Sequence, residues 1–183
     1  MGKTYAAITP ELGAWLTRQP VFFVATAPLS RDGHVNCSPK GLDTFRVLGP
    51  TTVAYADLTG SGAETAAHLE ENGRIVLMFC AFSGPPRIVR LHGRGEAIVR
   101  SSAEWTEASA GFPSHPGTRA IIRVHVTRVS DSCGYSVPNM DLVGERDTLQ
   151  RWVQTKGAAN LPAYRREKNA RSIDGLPGPG FDE

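Results

Sequence analysis

The chain has 183 residues, 40% hydrophobic and 21% charged, with a formal net charge of +2, a size that suits one domain with a full core. So small a charge argues against nucleic acid or an anionic membrane surface as a partner, and no apolar run is long enough for a helix that spans a bilayer. Residues 1–5 carry one lysine with no apolar signal core behind it, so the expected location is cytoplasmic.

Thr9-Pro10-Glu11 opens the first helix, with Thr as N-cap, Pro in the first turn, and Leu12, Trp15 and Leu16 on one face. Pro20 stops it. Residues 21–26 are β-branched and aromatic and read as a strand. Ser30-Arg31-Asp32-Gly33 is a turn, Asp-Gly being a strong hairpin signal, and residues 34–39 return as a second strand. Residues 44–48 form a third, turned by Gly49-Pro50, and residues 52–56 a fourth. A short helix is expected over residues 63–71, with Ala66, Ala67 and Leu69 as its apolar stripe and Asn72-Gly73 at its end. Residues 74–79 make an apolar strand. After Pro85-Pro86, residues 87–99 make a long one, in which Gly93 and Gly95 signal a bend or a close backbone approach. Residues 101–104 cap a helix containing Trp105. Residues 120–129 alternate, with Ile122, Val124 and Val126 on one side and Arg123, His125 and Thr127 on the other.

Beyond Val143 the chain is charged and helical over residues 144–154 and 161–170, then too rich in glycine and proline for regular structure over residues 172–180. Six or seven strands in hairpin order, with short helices at the joins, predict a mainly β fold, an antiparallel barrel rather than a parallel sheet. Closing the sheet also removes exposed edges. The expected organisation is a barrel domain over residues 1–143, with residues 144–183 as helices and tail packed on it.

Cys37, Cys80 and Cys133 are odd in number and form no CxxC pair, which argues against a zinc cage or a disulfide framework. Cys80 follows an apolar run and reads as a buried thiol; Cys37 and Cys133 sit in polar surroundings with no adjacent base. His34, His68, His92, His115 and His125 show no metal-ligand spacing. Two segments break the strand pattern with small and polar residues: HVNCSPKG, residues 34–41, and YADLTGSGAET, residues 55–65. They suggest a ligand held against a barrel wall, its anionic end near the loop that opens a helix. A Gly-Ser-Gly segment entering a helix exposes backbone N–H groups, and the helix dipole favours an anion there. Thr59, Ser61 and Thr65 add hydroxyls, and Lys40 adds one charge. Plain readings stand beside these: Lys40 as a solvated strand end, residues 59–62 as a simple loop, Tyr55 as core, Asp57 as a cap, and Arg87, Arg90 and Arg94 as a surface ladder.

Taken in order, the first strand, the Asp-Gly turn, HVNCSPKG, TTVAYADLTGSGAETAAHLEENGRIVLMF and RIVRLHGRGEAIV resemble the pyridoxamine-phosphate-oxidase-like family of FMN-binding split barrels. The likeness spans residues 20–129, and the tail, CGYSVP through KNARSIDGLPG, resembles one bacterial branch of that family. The resemblance implies an antiparallel split β-barrel and a homodimer that binds FMN in the cleft between its subunits. It implies Ser38, Pro39, Lys40 and Gly41 as the strand end lining the flavin, with Lys40 as a phosphate or ring contact. Tyr55 matches the first aromatic of the next strand. Asp57 through Thr65, with Thr59 and Ser61, match the segment that holds the ribityl phosphate, and Arg87 opens the strand that closes over the cofactor. Two basic ligands of the oxidase proper are missing: Val35 stands where it has Arg, and Gly60-Ser61-Gly62-Ala63 where it has a Ser-Arg-Lys cluster.

The implied function is an FMN-binding oxidoreductase acting on an unidentified small molecule, either oxidase or reductase. The flavin carries the redox chemistry, and no nucleophile, base and orienter set is evident, so no catalytic residue is assigned. Two alternatives share the barrel: a protein binding deazaflavin or haem, with His92 or His125 as the haem candidate, and a non-catalytic flavin-binding protein. Cys133 or Tyr135 could sit at a flavin's edge. The tail from Ser172 is expected to fold over the neighbouring subunit's cleft.

Overall fold

The computed structural model describes residues 2–181. Its strands are β1 (Thr4–Tyr5), β2 (Phe22–Thr26), β3 (Asn36–Lys40), β4 (Phe45–Gly49), β5 (Thr52–Leu58), β6 (Arg74–Cys80), β7 (Ile88–Val99) and β8 (Thr118–Ser132). Its helices are α1 (Pro10–Thr17), α2 (Glu64–Asn72), α3 (Trp105–Ser109), α4 (Thr148–Lys156) and α5 (Leu161–Lys168). The strands form one antiparallel sheet in the order β3-β2-β6-β7-β8-β5-β4, with β1 added to β8. This is a mainly β, antiparallel split barrel with short helices.

The expected closure of the sheet is corrected in one respect. Among the described residues the ladders run as an open path that ends at β3 and β4. β3 suits an edge, because Pro39 offers no N–H to a further strand. Side chains join what the backbone leaves open. Phe22 of β2 meets Phe45 of β4 at 5.5 Å and Tyr55 of β5 at 5.6 Å between ring centroids. Phe79 of β6 completes the cluster, 4.9 Å from Phe45. Edge-to-face contacts of this kind add about 0.5–1.5 kcal/mol each beyond area burial.

α1 starts as its sequence dictates, with Thr9 Oγ1 accepting from Leu12 N at 3.2 Å and Leu12 and Leu16 buried. Gly73 ends α2 at φ +68°, the left-handed turn that glycine adopts without a Cβ penalty. On β8, Ile122, Val124 and Val126 are buried, while His125 and Thr127 are exposed. Ile121 is buried as well, because Trp105 and Phe112 around α3 cover the outer face of the sheet. The turn at residues 30–33 forms, Gly33 N donating to Ser30 O at 3.3 Å, and β2 and β3 pair antiparallel across it. Residues 27–35 make the whole connection, tied to the end of α2 by Asn72 Nδ2 to Ala27 O (2.9 Å), Arg74 Nη2 to Pro28 O (3.0 Å) and Leu29 N to Glu71 Oε2 (2.7 Å). Cys80 is buried, and Cys37 and Cys133 are exposed. No described helix is long and apolar enough to cross a membrane.

The C-terminal segment lies on the barrel through Val153, Leu161 and Arg165, all buried. Within its own chain the tail packs on the barrel, where Phe181 is 3% exposed and joins the core.

β8 is bulged against both neighbours. At the first bulge Gly93 lies so near that an added Cβ would stand 2.2 Å from the His125 carbonyl oxygen. The close approach read from the sequence is therefore a backbone contact. Gly93→Ala should lower the unfolding free energy by about 1–3 kcal/mol, read from urea denaturation.

Candidate functional site

β3 alternates, and Asn36, Ser38 and Lys40 turn inward while Cys37 and Pro39 face out. The inward row meets the segment after β5 across the seam that no ladder closes. Asn36 Nδ2 donates to Thr65 Oγ1 (2.9 Å) and to Thr26 Oγ1 (3.1 Å), and Ser38 Oγ donates to Asn36 Oδ1 (3.0 Å). Thr26 Oγ1 also bonds His68 Nδ1 at 2.9 Å. Burial lowers the pKa of His68 despite the nearby carboxylates of Asp174, Glu64 and Glu71, so its ring is neutral at neutral pH.

At the end of the row, Lys40 Nζ donates to Asp57 Oδ1 at 3.1 Å. Asp57 Oδ2 accepts from Arg119 Nε at 2.7 Å. Asp57 is 1% exposed. Burial alone pushes its carboxyl pKa up, but the Arg119 and Lys40 charges outweigh burial and hold it below the usual carboxylate value. Two cations around one carboxylate leave the cluster with a positive excess.

Sequence patterning does not single out Arg119. It is the extra residue of the second β8 bulge, where Thr118 pairs with Leu58 and Ala120 with Asp57. A bulge re-aims a side chain, and here the guanidinium reaches Asp57 and, through Nη1, the Gly62 carbonyl at 2.8 Å. Period-2 alternation assigns an extra residue no face, so that pattern could not have found it. Arg165 and Asn169 escape it too. Arg165 Nε donates to Thr59 Oγ1 at 2.9 Å, and that hydroxyl donates to Gly117 O at 2.7 Å. Asn169 Nδ2 reaches Gly60 O at 3.0 Å and Gly62 O at 3.3 Å.

The loop carbonyls thus face Arg119 and Asn169. In a trans peptide the N–H of the next residue points the opposite way, so the amides of Ser61 and Ala63 face away from those donors. Ser61 is exposed, at the entry to α2, whose first turn has unpaired N–H groups. Glu64 lies beside this entry: a Cβ on Gly62 would stand 2.1 Å from its Oε2. An anion arriving here therefore meets a carboxylate that must swing aside.

Of the residues chosen from sequence, Ser38, Lys40, Asp57 and Thr65 meet at this seam, Thr59 is bonded instead to Gly117 and Arg165, and Ser61 is exposed in the loop between. Pro39 is exposed on the outer side of β3, and Gly41 leads into the turn before β4. The turn passes through Leu42 at φ +59°, a strained conformation for leucine. Tyr55 lies inside the core, fully buried, and burial pushes its phenol pKa well up. Arg87 is placed elsewhere. Its Nη2 donates to Asp131 Oδ2 (3.0 Å) and Tyr5 Oη (3.3 Å), and its guanidinium stacks 5.1 Å from the Trp15 ring centroid. None of these contacts joins it to Lys40 or the loop.

Asp57→Asn keeps the shape and removes the charge, leaving Lys40 and Arg119 facing one another. Breaking a buried pair in this way costs about 3–5 kcal/mol. The folded carboxyl has the lower pKa, so its contribution is present above the unfolded value near about pH 4 and is lost as pH falls through the folded value. Urea unfolding from pH 7 to pH 2 should show wild type losing more stability than Asp57→Asn, with the two curves converging at the acid end.

Comparison with known proteins agrees with this architecture. The chain is 41% identical over 196 residues to the pyridoxamine 5'-phosphate oxidase family protein ustO of Aspergillus flavus, covering 95% of this chain and 76% of ustO. Two crystal structures of HupZ from Group A Streptococcus share the fold. One, of a variant with a histidine replaced by alanine, has a TM-score of 0.54 at 22% identity and covers 68% of this chain and 99% of its own; the other has a TM-score of 0.53 at 23% identity and covers 73% and 99%. The family model of pyridoxamine 5'-phosphate oxidase matches residues 8–133, from the residue before the α1 cap to the end of β8. The chain belongs to the pyridoxamine 5'-phosphate oxidase family.

Proposed function

We propose that this chain is an FMN-binding flavoprotein, an oxidoreductase acting on a small molecule, with the flavin lodged at the seam between β3 and residues 57–65. The observation that carries the reading is the seam itself. It presents a positive cluster, Lys40 and Arg119 about one carboxylate, beside a loop whose Gly60 and Gly62 carbonyls are taken up by Asn169 and Arg119. Such a loop fits a phosphate monoester without an arginine fork of its own, since fixed amides and a helix start favour an anion. Ser61 is the exposed hydroxyl there. Bound flavin would supply the two-electron redox chemistry. The chain would hold the phosphate, orient the ring along Ser38 and Lys40, and place a cation near it.

The expected unit is a homodimer. Residues 138–148 are exposed throughout, with Met140 59%, Leu142 62% and Val143 102% exposed. Apolar side chains this open, in a stretch with no cover from its own chain, suit a surface against a second copy.

One observation favours haem as a second reading. His92 lines an open hollow of about 290 Å³ with Ala25, Ala27, Val35, Ile75 and Val76. Burial, then the charges of Arg128 and Arg90, lower its pKa, so the imidazole is neutral and able to bind a metal. Arg74, also in the lining, supplies a charge that a propionate could meet.

Fluorescence titration separates these readings. FMN should be quenched at micromolar protein, and riboflavin, which lacks the phosphate, should bind at least about tenfold more weakly, or about 1.4 kcal/mol. Equal affinity for both would remove the phosphate site, and a Soret shift with haemin alone would favour His92.

A further inference from the structure

The residues that shape the loop after β5 come largely from beyond Cys133, where the family model ends. We propose that the stretch from Arg165 to Phe181 is a strap that crosses the seam and fixes the direction of the loop amides, with Asn169, Asp174 and Phe181 as its positioning residues.

The strap holds both walls. On the loop side, Asn169 is 2% exposed and its single amide group spans the carbonyls of Gly60 and Gly62. Ile173 N donates to Glu64 Oε1 at 3.3 Å, which ties the tail to a carboxylate whose other oxygen lies beside Gly62. On the β3 side, Asp174 accepts from His34 N through Oδ2 and bonds His34 Nδ1 through Oδ1, each at 2.7 Å. His34 stands two residues before β3 begins, so the hook anchors the edge strand to the same tail that anchors the loop.

The strap is itself shaped. Ser172 N donates to Leu176 O (2.8 Å), Gly175 N to Ser172 O (3.0 Å) and Gly178 N to Ala170 O (2.8 Å). These bonds turn the tail back on the end of α5 and bring Phe181 under Arg119, with the guanidinium 4.6 Å from the ring centroid. Arg119 therefore has its planar group fixed by a ring on one side, by Asp57 and by the Gly62 carbonyl. Cation–π contacts of this buried kind hold orientation as well as energy.

The consequence is specific. The loop carries no basic residue, and with its carbonyls drawn back by Asn169 and Arg119, the amide of the exposed Ser61 stays presented. Free of the strap, the Gly-Ser-Gly backbone has no reason to keep that direction, because glycine samples many conformations. The strap thus pre-organises the anion loop, which lowers the ordering cost of binding. That link to a ligand rests on the FMN reading above; the ordering of the loop does not.

Hydrogen exchange of the ligand-free protein tests the strap alone. Asn169→Ala, Phe181→Ala and Asp174→Ala should each speed exchange of the amides of residues 60–67 at least tenfold, while β6 and β7 keep their protection. Phe181→Tyr, which retains the ring, should restore the loop, and Phe181→Leu, which retains only apolar bulk, should not. With FMN present, the alanine variants should bind more weakly. Unaltered exchange in the loop, or a uniform rise across all strands in all three alanine variants, would overturn the strap, whether or not the wild type binds flavin.

Discussion

A carboxylate with almost no access to water sits where the sheet fails to close. Asp57 takes Lys40 from β3 on one oxygen and Arg119 from β8 on the other. No ladder joins β3 to β4 or β5 among the described residues, so this bridge does across the seam what hydrogen-bonded strands do elsewhere. A buried charge is tolerated only when it is paired and hydrogen-bonded, and the pairing here requires three elements to be in place together. The aromatic cluster of Phe22, Phe45, Tyr55 and Phe79 brings the walls within reach; the charges then fix their register.

Other features follow from that requirement. Arg119 can reach Asp57 only because β8 carries an extra residue there. Once aimed inward, the same guanidinium holds the Gly62 carbonyl and offers its face to Phe181. The tail, the loop and the edge strand are in this way tied to one buried charge. The polar row of Asn36, Ser38, Thr26, Thr65 and His68 runs alongside it, and each hydrogen bond there spares a buried group from going unpaired. A site assembled so has fixed dipoles and a positive excess before any ligand arrives, the condition under which an anion binds with little reorganisation.

Much of this was legible in the sequence where the signal is local. The Thr9-Pro10 cap, Gly73 at the end of α2, and the alternation of Ile122, Val124 and Val126 depend on neighbours in the chain, and they fold as read. Lys40 and Asp57 stood out as polar breaks in apolar strands, and they meet. The misses share a different cause. Arg119 sits in a bulge, where period-2 alternation assigns no face. Asn169 acts on groups more than a hundred residues earlier, and Phe181 acts on a side chain of a distant strand, separations no local pattern senses. Arg87 followed from the family likeness; within this chain it bonds Asp131 and Tyr5, and the Tyr5–Asp131 bond pins β1 to the end of β8.

The most direct measurement of the central bridge is a double-mutant cycle between Asp57 and Lys40. Unfolding free energies of wild type, Asp57→Asn, Lys40→Met and the double variant give the coupling energy. A favourable coupling of about 1–3 kcal/mol is predicted, with Lys40→Met alone lessening the stability lost on acidification, because the folded pKa of Asp57 then lies closer to its unfolded value. A coupling of zero would mean that the seam is held by packing alone, and the electrostatic account of the site would be wrong.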